Sequence, residues 1–157
     1  VCLVRGPSGE REIAIDDFHI GPYETAVAFN EMLIEVRIPI RHNTSSAYAK
    51  VERRVGDWAV TAAGAAITLD GDSIAAARVA LTAVNPDRAA LAELSASLAG
   101  QPASEETFAG AGRRAGEACD PVTDVRGTAE YKRHLASELT LRTLRTAAER
   151  VREQGRN

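Results

Sequence analysis

Aromatic side chains are scarce in this chain, and their scarcity limits the kind of core that it can build. They make up 4% of the 157 residues, as one Trp, three Tyr and three Phe, while alanine is abundant. Because aromatic rings bury the most area per side chain, we predict a core of small aliphatic residues and closely packed helices. Hydrophobic residues at 45% and charged residues at 26% are ordinary for one globular domain, or one domain plus part of another.

Metal-binding and nucleophilic motifs are also missing from the sequence. Cys2 and Cys119 have no ligand spacing, and we expect both to be thiols. The histidines, His19, His42 and His134, are scattered, so no two of them have the spacing of metal ligands. No serine occupies the Gly-x-Ser-x-Gly turn that hydrolases use. We therefore predict no metal site and no catalytic residue.

Charge and hydropathy argue against two further classes of partner. The net charge of −3 disfavours nucleic acid, since phosphate binding needs a basic surface. The longest apolar stretch, 59–69, is interrupted by Thr and Gly and is shorter than the roughly 18 residues that span a bilayer. We expect a cytoplasmic protein without a membrane span and without a nucleic-acid partner.

Turn signals and a change of hydrophobic period predict two parts. Residues 1–41 alternate short extended runs with turns, at Gly6-Pro-Ser-Gly9 and at Gly21-Pro22. The polar segment 40–45 is the best candidate for a domain boundary. We expect 1–41 to be the last strands of a mixed α/β unit and 42–157 to be an α+β domain.

The first residues of the chain are typical of a strand inside a fold and not of the start of a protein. Val1-Cys-Leu-Val4 is typical of a strand, although no Met precedes it. From Glu31 to Ile38 the sequence has a period of two, which places Met32, Ile34, Val36 and Ile38 on one face of a strand. Pro39 ends that pattern, because proline cannot donate to a sheet ladder. We expect the chain to be the C-terminal piece of a larger protein.

Residues 42–157 are predicted to form a three-stranded antiparallel meander followed by three helices, with a tail from Glu153 to Asn157 that frays. The Asp70-Gly71 pair is a strong hairpin signal. Asp87 and Ser104 have the chemistry of helix N-caps. The predicted strands are about 46–54, 59–69 and 73–84, and the predicted helices start after Asp87, start after Ser104 and cover about 128–153. Helical periodicity predicts one apolar face on the third helix, formed by Ala136, Leu139, Thr143, Leu144, Ala147 and Val151.

The segment Glu52-Arg-Arg-Val-Gly-Asp-Trp58 carries the clearest candidate site. Gly56 allows a sharp bend or a close approach of the backbone to a ligand. Trp58 offers a flat face for stacking on an aromatic ring, and Asp57 offers a carboxylate to a neighbouring donor. The plain alternative is a β-turn with a core tryptophan and two solvated arginines. The residues alone favour that alternative, and they favour a capping and turn network for Asp124-Val-Arg-Gly127.

A family resemblance rests on the order and spacing of several such segments. The chain resembles the C-terminal portion of the FAD-binding medium subunit of carbon monoxide dehydrogenase, and the flavin domain of xanthine dehydrogenase and related molybdenum hydroxylases. The residues that carry the resemblance are Ser46-Ala-Tyr48, Lys50, Arg53-Arg54, Asp57-Trp58, Asp124, Arg126-Gly127 and Tyr131-Lys-Arg133.

This resemblance implies a fold and a cofactor. Residues 1–41 would be the C-terminal remnant of a FAD-binding α/β domain, and 42–157 a CO dehydrogenase flavoprotein C-terminal-like α+β domain. FAD is implied for the full-length subunit, with Leu33, Lys50, Asp57 and Trp58 near the flavin ring. The glycine-rich pyrophosphate loops of the family are absent from this sequence. The chain would therefore supply only stacking and a few polar contacts.

Two functions follow as expectations. In the first, the chain belongs to an oxidoreductase subunit that passes electrons through FAD to an external acceptor. The electrons would come from a large molybdopterin subunit through the clusters of a small iron–sulfur subunit. In the second, it is a non-catalytic docking module that packs against partner subunits and binds no cofactor alone.

Overall fold

The computed structural model describes residues 1–21 and 23–155. These residues form two compact units, one covering Val1–Arg41 and the other beginning at His42. Each unit has its own cluster of buried side chains. They are described separately.

Two of the expected features fall partly outside this description. Pro22, the second residue of the predicted turn at Gly21-Pro22, lies outside the described residues, as do Arg156 and Asn157 of the predicted tail. Within the described ranges, no helix is both long enough and apolar enough to cross a bilayer.

The first unit consists of β1 (Cys2–Gly6), β2 (Gly9–Ile13), α1 (Ile15–Phe18), β3 (His19–Gly21), β4 (Glu24–Thr25) and β5 (Met32–Val36). It is built on an antiparallel sheet in the order β2-β1-β5. The predicted turn after β1 is confirmed, since Gly6 pairs with Gly9 across it. A small core is formed by Cys2, Val4 and Ile13.

Strand β5 forms where the period-two pattern predicts a strand, but the apolar side chains of that pattern are not buried. It pairs with β1 at the edge of the sheet, where Leu33 lies opposite Val4. All of its side chains are exposed, among them Met32, Ile34 and Val36. Within the first unit, the apolar face of β5 is therefore left uncovered.

The second unit contains the predicted meander. Its strands pair in the order β6-β7-β8, and every pair is antiparallel. Asp70 pairs with Ser73, so Gly71 and Asp72 form the turn that Asp-Gly predicted. Gly71 has φ +58°, a conformation that glycine adopts without strain. The strands are β6 (Thr44–Val51), β7 (Thr61–Asp70) and β8 (Ser73–Thr82).

The three predicted helices are present, and side chains cap their starts. Asp87 Oδ1 accepts hydrogen bonds from the amides of Ala89 and Ala90, at 2.8 and 3.2 Å. Ser104 Oγ accepts one from the amide of Thr107 at 3.3 Å. The helices are α2 (Arg88–Ser97), α3 (Glu105–Glu117) and α4 (Ala129–Gln154).

Helix α4 connects the sheet to the remaining helices. It packs against β6 and β7 and also against α3, while α2 packs against β8. The predicted apolar face of α4 is confirmed as buried. Small residues dominate the core, as the scarcity of aromatics predicted: its alanines are Ala47, Ala63, Ala65, Ala103, Ala111, Ala115, Ala136, Ala147 and Ala148.

Candidate functional site

The candidate site begins with the loop that joins β6 to β7. The amide of Asp57 donates to the carbonyl of Arg54 at 3.0 Å and closes a β-turn. Gly56 is the third residue of this turn and has φ +81°, which side-chain-bearing residues rarely adopt. The amide of Val60 donates to the carbonyl of Val51 at 2.8 Å and closes the loop at its base.

Lys50 fixes this loop to strand β6. Its Nζ donates to the carbonyl oxygen of Asp57 at 3.1 Å and forms an ion pair with Glu52. The hydrogen bond with Glu52 raises the pKa of Lys50 above its ordinary value, so the ammonium stays charged. Asp57 Oδ1 accepts a hydrogen bond from the amide of Trp58 at 2.7 Å. This bond fixes the backbone directly after the turn.

The tryptophan is not a core residue. The side chain of Trp58 is 73% exposed, although it is the only tryptophan of the chain. The alternative that the residues alone favoured is confirmed for the β-turn and for Arg53 and Arg54, which are exposed. It is wrong for the indole, which is not buried. The indole of Trp58 is exposed and hydrogen bonds fix its loop, so its face is available for stacking.

The indole borders a cleft of about 510 Å³ in the second unit. The cleft is formed by the end of β6, the loop before β7, the end of β8 and the segment that leads into α4. Its lining residues are Tyr48, Lys50, Trp58, Ala59, Val60, Thr82, Ala83, Asp124, Arg126 and Lys132. The two segments that carry the family resemblance thus meet at one cleft, although they lie about seventy residues apart in sequence.

A tight turn before α4 forms one wall of the cleft. Asp124 and Gly127 exchange two backbone hydrogen bonds, each of 3.1 Å. Asp124 Oδ1 also accepts the amide of Arg126 at 2.8 Å. The expected turn network at Asp124–Gly127 is confirmed, and it places Arg126 on the wall.

Lys132 anchors this turn from inside the protein. Its Nζ donates to Asp124 Oδ1 and to the carbonyl oxygen of Val122, each at 2.8 Å. Only 3% of Lys132 is exposed. The hydrogen bond from Lys132, together with the amide of Arg126, lowers the pKa of Asp124, so the carboxylate is ionised around neutral pH.

The opposite end of the cleft contains a strained residue. Ala83 follows β8 and has φ +67°, in the left-handed region that alanine rarely occupies. Backbone strain of this kind often accompanies binding sites, where surrounding contacts hold it in place. Asn85, which also has a positive φ of 46°, belongs to a residue type that tolerates this region.

The predicted site residues are only partly brought together. Lys50 and Trp58 line the cleft, and Asp57 lies beside it in a shallow depression with Arg53 and Arg54. Leu33 lies on β5 of the first unit. Whether these four residues contact a flavin stays a prediction.

Sequence reasoning missed the buried position of Lys132. Lys132 lies one helical turn before Ala136, on the same face as Leu139 and Thr143, so helical periodicity contained the signal. A lysine on an apolar stripe needs a partner, and the candidates within reach are the acidic residues just before the helix. Asp124 is the partner that the structure shows.

The thiol and metal chemistry of the described residues is limited. Burial raises the pKa of the Cys119 thiol to about 11, which leaves it protonated and unreactive at neutral pH. Cys2 is also a buried free thiol. In the described part of the chain, no three His, Cys, Asp or Glu side chains are grouped as metal ligands would be.

Comparison with known proteins identifies relatives of the chain. The profile of the family described as "CO dehydrogenase flavoprotein C-terminal domain" matches residues 46–147. The carbon monoxide dehydrogenase medium chain of Hydrogenophaga pseudoflava is 32% identical over 146 residues, which cover 92% of this chain and 51% of the relative. The chain spans about half the length of the curated relatives that it matches.

Solved structures agree with this comparison. A carbon monoxide dehydrogenase from Hydrogenophaga pseudoflava, lacking the Mo-pyranopterin moiety of its molybdenum cofactor, superposes with a TM-score of 0.80 at 35% identity. That match covers 96% of this chain and 52% of the other. Quinoline 2-oxidoreductase from Pseudomonas putida 86 gives a TM-score of 0.80 at 32% identity, with the same two coverages.

Proposed function

Since the chain belongs to the CO dehydrogenase flavoprotein C-terminal domain family, we propose that it is the C-terminal part of a FAD-binding electron-transfer subunit. The parent assembly would be a molybdenum hydroxylase complex. Within the chain, the cleft beside Trp58 would receive the isoalloxazine ring of the flavin. The observation that carries this proposal is the exposed indole at the edge of a cleft of about 510 Å³.

The cleft has the size and the chemistry for a planar ring. Small-molecule sites usually measure about 300–1,000 Å³ and combine apolar walls with a few polar groups. Here Tyr48 and Trp58 supply aromatic surface, while Lys50 and Arg126 supply hydrogen-bond donors. An electron-rich indole stacks well on the electron-poor ring of an oxidised flavin.

We assign each predicted residue a role in holding the cofactor. Trp58 would stack on the ring, and Lys50 would keep the loop in place through its bond to the Asp57 carbonyl. Asp57 would place a negative charge near the cofactor. For Leu33, on β5 of the first unit, a flavin contact stays a prediction from the family resemblance. The flavin supplies the redox chemistry when bound, and the chain supplies binding, orientation and electrostatics.

The partners of the subunit follow from the same proposal. A large molybdopterin subunit and a small iron–sulfur subunit would deliver electrons, and an external acceptor would remove them. The relatives include enzymes named for carbon monoxide and for quinoline. We therefore place the choice of substrate in another subunit. A cytoplasmic location of the assembly stays a proposal.

A docking module without a cofactor is the second candidate. The observation in its favour is the number of exposed apolar side chains on the loops of the second unit: Val55 is fully exposed and Val125 nearly so. Such side chains are typical of surfaces that a partner covers. In this case the chain would contribute packing area to an assembly and nothing to electron transfer.

Spectroscopy and equilibrium dialysis separate the two candidates. We expect the purified chain to bind added FAD weakly, because it supplies only stacking and a few polar contacts to the ring. Trp58→Leu should weaken that binding about tenfold, because aromatic pairs contribute about 0.5–1.5 kcal/mol beyond their buried area. Val55→Ala is the matched control: it changes an exposed residue of the same loop that does not line the cleft. A folded, colourless chain that binds no FAD would instead support docking.

A further inference from the structure

The cleft contains more positive charge than its own partners neutralise. Three of its lining residues are cations: Lys50, Arg126 and Lys132. Lys50 is paired with Glu52, and Lys132 is paired with Asp124. One positive charge, that of Arg126, therefore remains uncompensated.

Arg126 differs from the other two cations in how it is held. Its backbone amide is fixed by Asp124 Oδ1 at 2.8 Å, and its side chain is half-buried on the wall of the cleft. Among the described residues, the guanidinium of Arg126 makes no hydrogen bond or ion pair. The Asp124 carboxylate feels the charge of Arg126, but its Oδ1 is already bonded to Lys132.

The support behind Arg126 makes its position well defined. Lys132 is buried and holds both the carboxylate and a carbonyl of the turn. Thr123 Oγ1 accepts the amide of Ala129 at 3.0 Å, which ties the same turn to the start of α4. The backbone that carries Arg126 is therefore fixed before a ligand binds.

We propose that Arg126 makes the cleft prefer the reduced, anionic flavin ring to the oxidised, neutral one. This inference rests on the proposed flavin site. Reduction adds two electrons and one proton to the neutral ring and leaves it with a negative charge. The Arg126 fork would donate to the oxygen and nitrogen atoms over which that charge spreads. Its positive charge attracts the anionic ring, whereas the neutral ring offers it no opposite charge.

The preference has a measurable size. Replacing the guanidinium by a neutral amide removes this attraction and should reduce the preference for the reduced ring about tenfold, which is near the lower end for two unit charges about 4 Å apart. For a two-electron couple, a tenfold change in the ratio of binding constants corresponds to about 30 mV in reduction potential. Arg126 thus raises the potential of the bound flavin and makes it a better acceptor.

The test compares the affinities of the chain for FAD in its two redox states. Equilibrium dialysis under anaerobic, mildly alkaline conditions gives the dissociation constant of oxidised FAD and that of dithionite-reduced FAD. The quantity of interest is the ratio of the two constants, in which the contacts of the pyrophosphate cancel. It is measured for the unmodified chain, for Arg126→Gln and for Arg113→Gln, an exposed control on α3 with the same change of net charge.

We expect the unmodified chain and Arg113→Gln to bind reduced FAD more tightly, and Arg126→Gln to show a ratio about tenfold smaller. The inference is overturned if Arg126→Gln keeps the original ratio, or if it weakens both redox states equally, as a purely structural residue would. If the unmodified chain binds neither state, the proposed function fails and this inference fails with it. Circular dichroism of each variant checks that the helices are intact.

Discussion

Helices α3 and α4 approach each other so closely at Gly112 that a single methyl group should separate them. A Cβ atom added at Gly112 would lie 2.5 Å from the carbonyl oxygen of Ser137, which belongs to the backbone of α4. Real Cβ atoms do not come so close, and a backbone atom cannot rotate away. Gly112→Ala must therefore move the helices apart or distort one of them.

The size of the effect follows from two opposing contributions. Alanine stabilises a helix interior by about 1 kcal/mol relative to glycine. Overpacking in a well-packed core costs about 1–3 kcal/mol and occasionally more, and contact with a backbone atom places Gly112 at the upper end. We expect a net loss of about 2 kcal/mol in the free energy of unfolding.

The same helix provides matched controls. At Gly110 a new Cβ would meet only the flexible end of Arg113, at 3.8 Å, so Gly110→Ala should stabilise the chain by about 0.5–1 kcal/mol. At Gly116 the new Cβ would lie 3.0 Å from the carbonyl oxygen of Arg133. Gly116→Ala should therefore fall between the other two variants.

Urea unfolding followed by the helical circular dichroism signal measures this series. With a urea dependence of about 1–2 kcal/mol per molar for a unit of this size, Gly112→Ala should lower the unfolding midpoint by about 1–2 M. The slope should not change. Equal stability of Gly112→Ala and Gly110→Ala would show that the crossing of α3 and α4 does not depend on the missing side chain.

Two further predictions concern the strained residue and the first unit. Ala83→Gly should stabilise the chain by about 1 kcal/mol, because glycine adopts the positive φ without strain; a thermal midpoint that does not rise would contradict this reasoning. Glu31 accepts hydrogen bonds from Arg11 and from the amide of Ala28, and the bond from Arg11 is the main reason that its pKa is lowered to about 2. A lowered carboxyl pKa contributes stability that is present above the unfolded pKa of about 4.5 and is lost as pH falls through about 2. At neutral pH, the amide hydrogen of Val4 should therefore exchange with solvent faster in the Glu31→Gln variant than in the unmodified chain. This difference in exchange rate should vanish near pH 2.

The elements that could be predicted from the sequence are those set by local chemistry. The caps at Asp87 and Ser104, the turn at Gly71 and the apolar face of α4 each depend on residues within a few positions of one another. Element ends were less accurate. Strand β8 was predicted to continue to residue 84 but ends at Thr82, because the positive φ of Ala83 breaks the extended conformation.

The remaining features depend on segments that are distant in sequence. Nothing within a few residues of Asp124 indicates that its turn would face Trp58, because the two segments meet only through the packing of α4 on the sheet. The sequence Gly110-Ala-Gly112 does not indicate which glycine is required, whereas the structure shows that Gly112 lies against the backbone of α4. A sequence pattern records that a residue is small, but it does not show which neighbour requires the space.

The position of the few aromatic residues is the strongest physical argument for a recognition role. Burial of large apolar side chains is the main source of stability in proteins, so a chain with seven aromatic residues would be expected to bury most of them. Here only Phe108 is fully buried, while five of the seven are exposed. The alanine-rich core of the second unit forms without Tyr48, Trp58 and Tyr131, because closely packed α3, α4 and β7 need small side chains. These three rings therefore add little burial to the core of the isolated unit, and they are available for contact with a ligand or a partner.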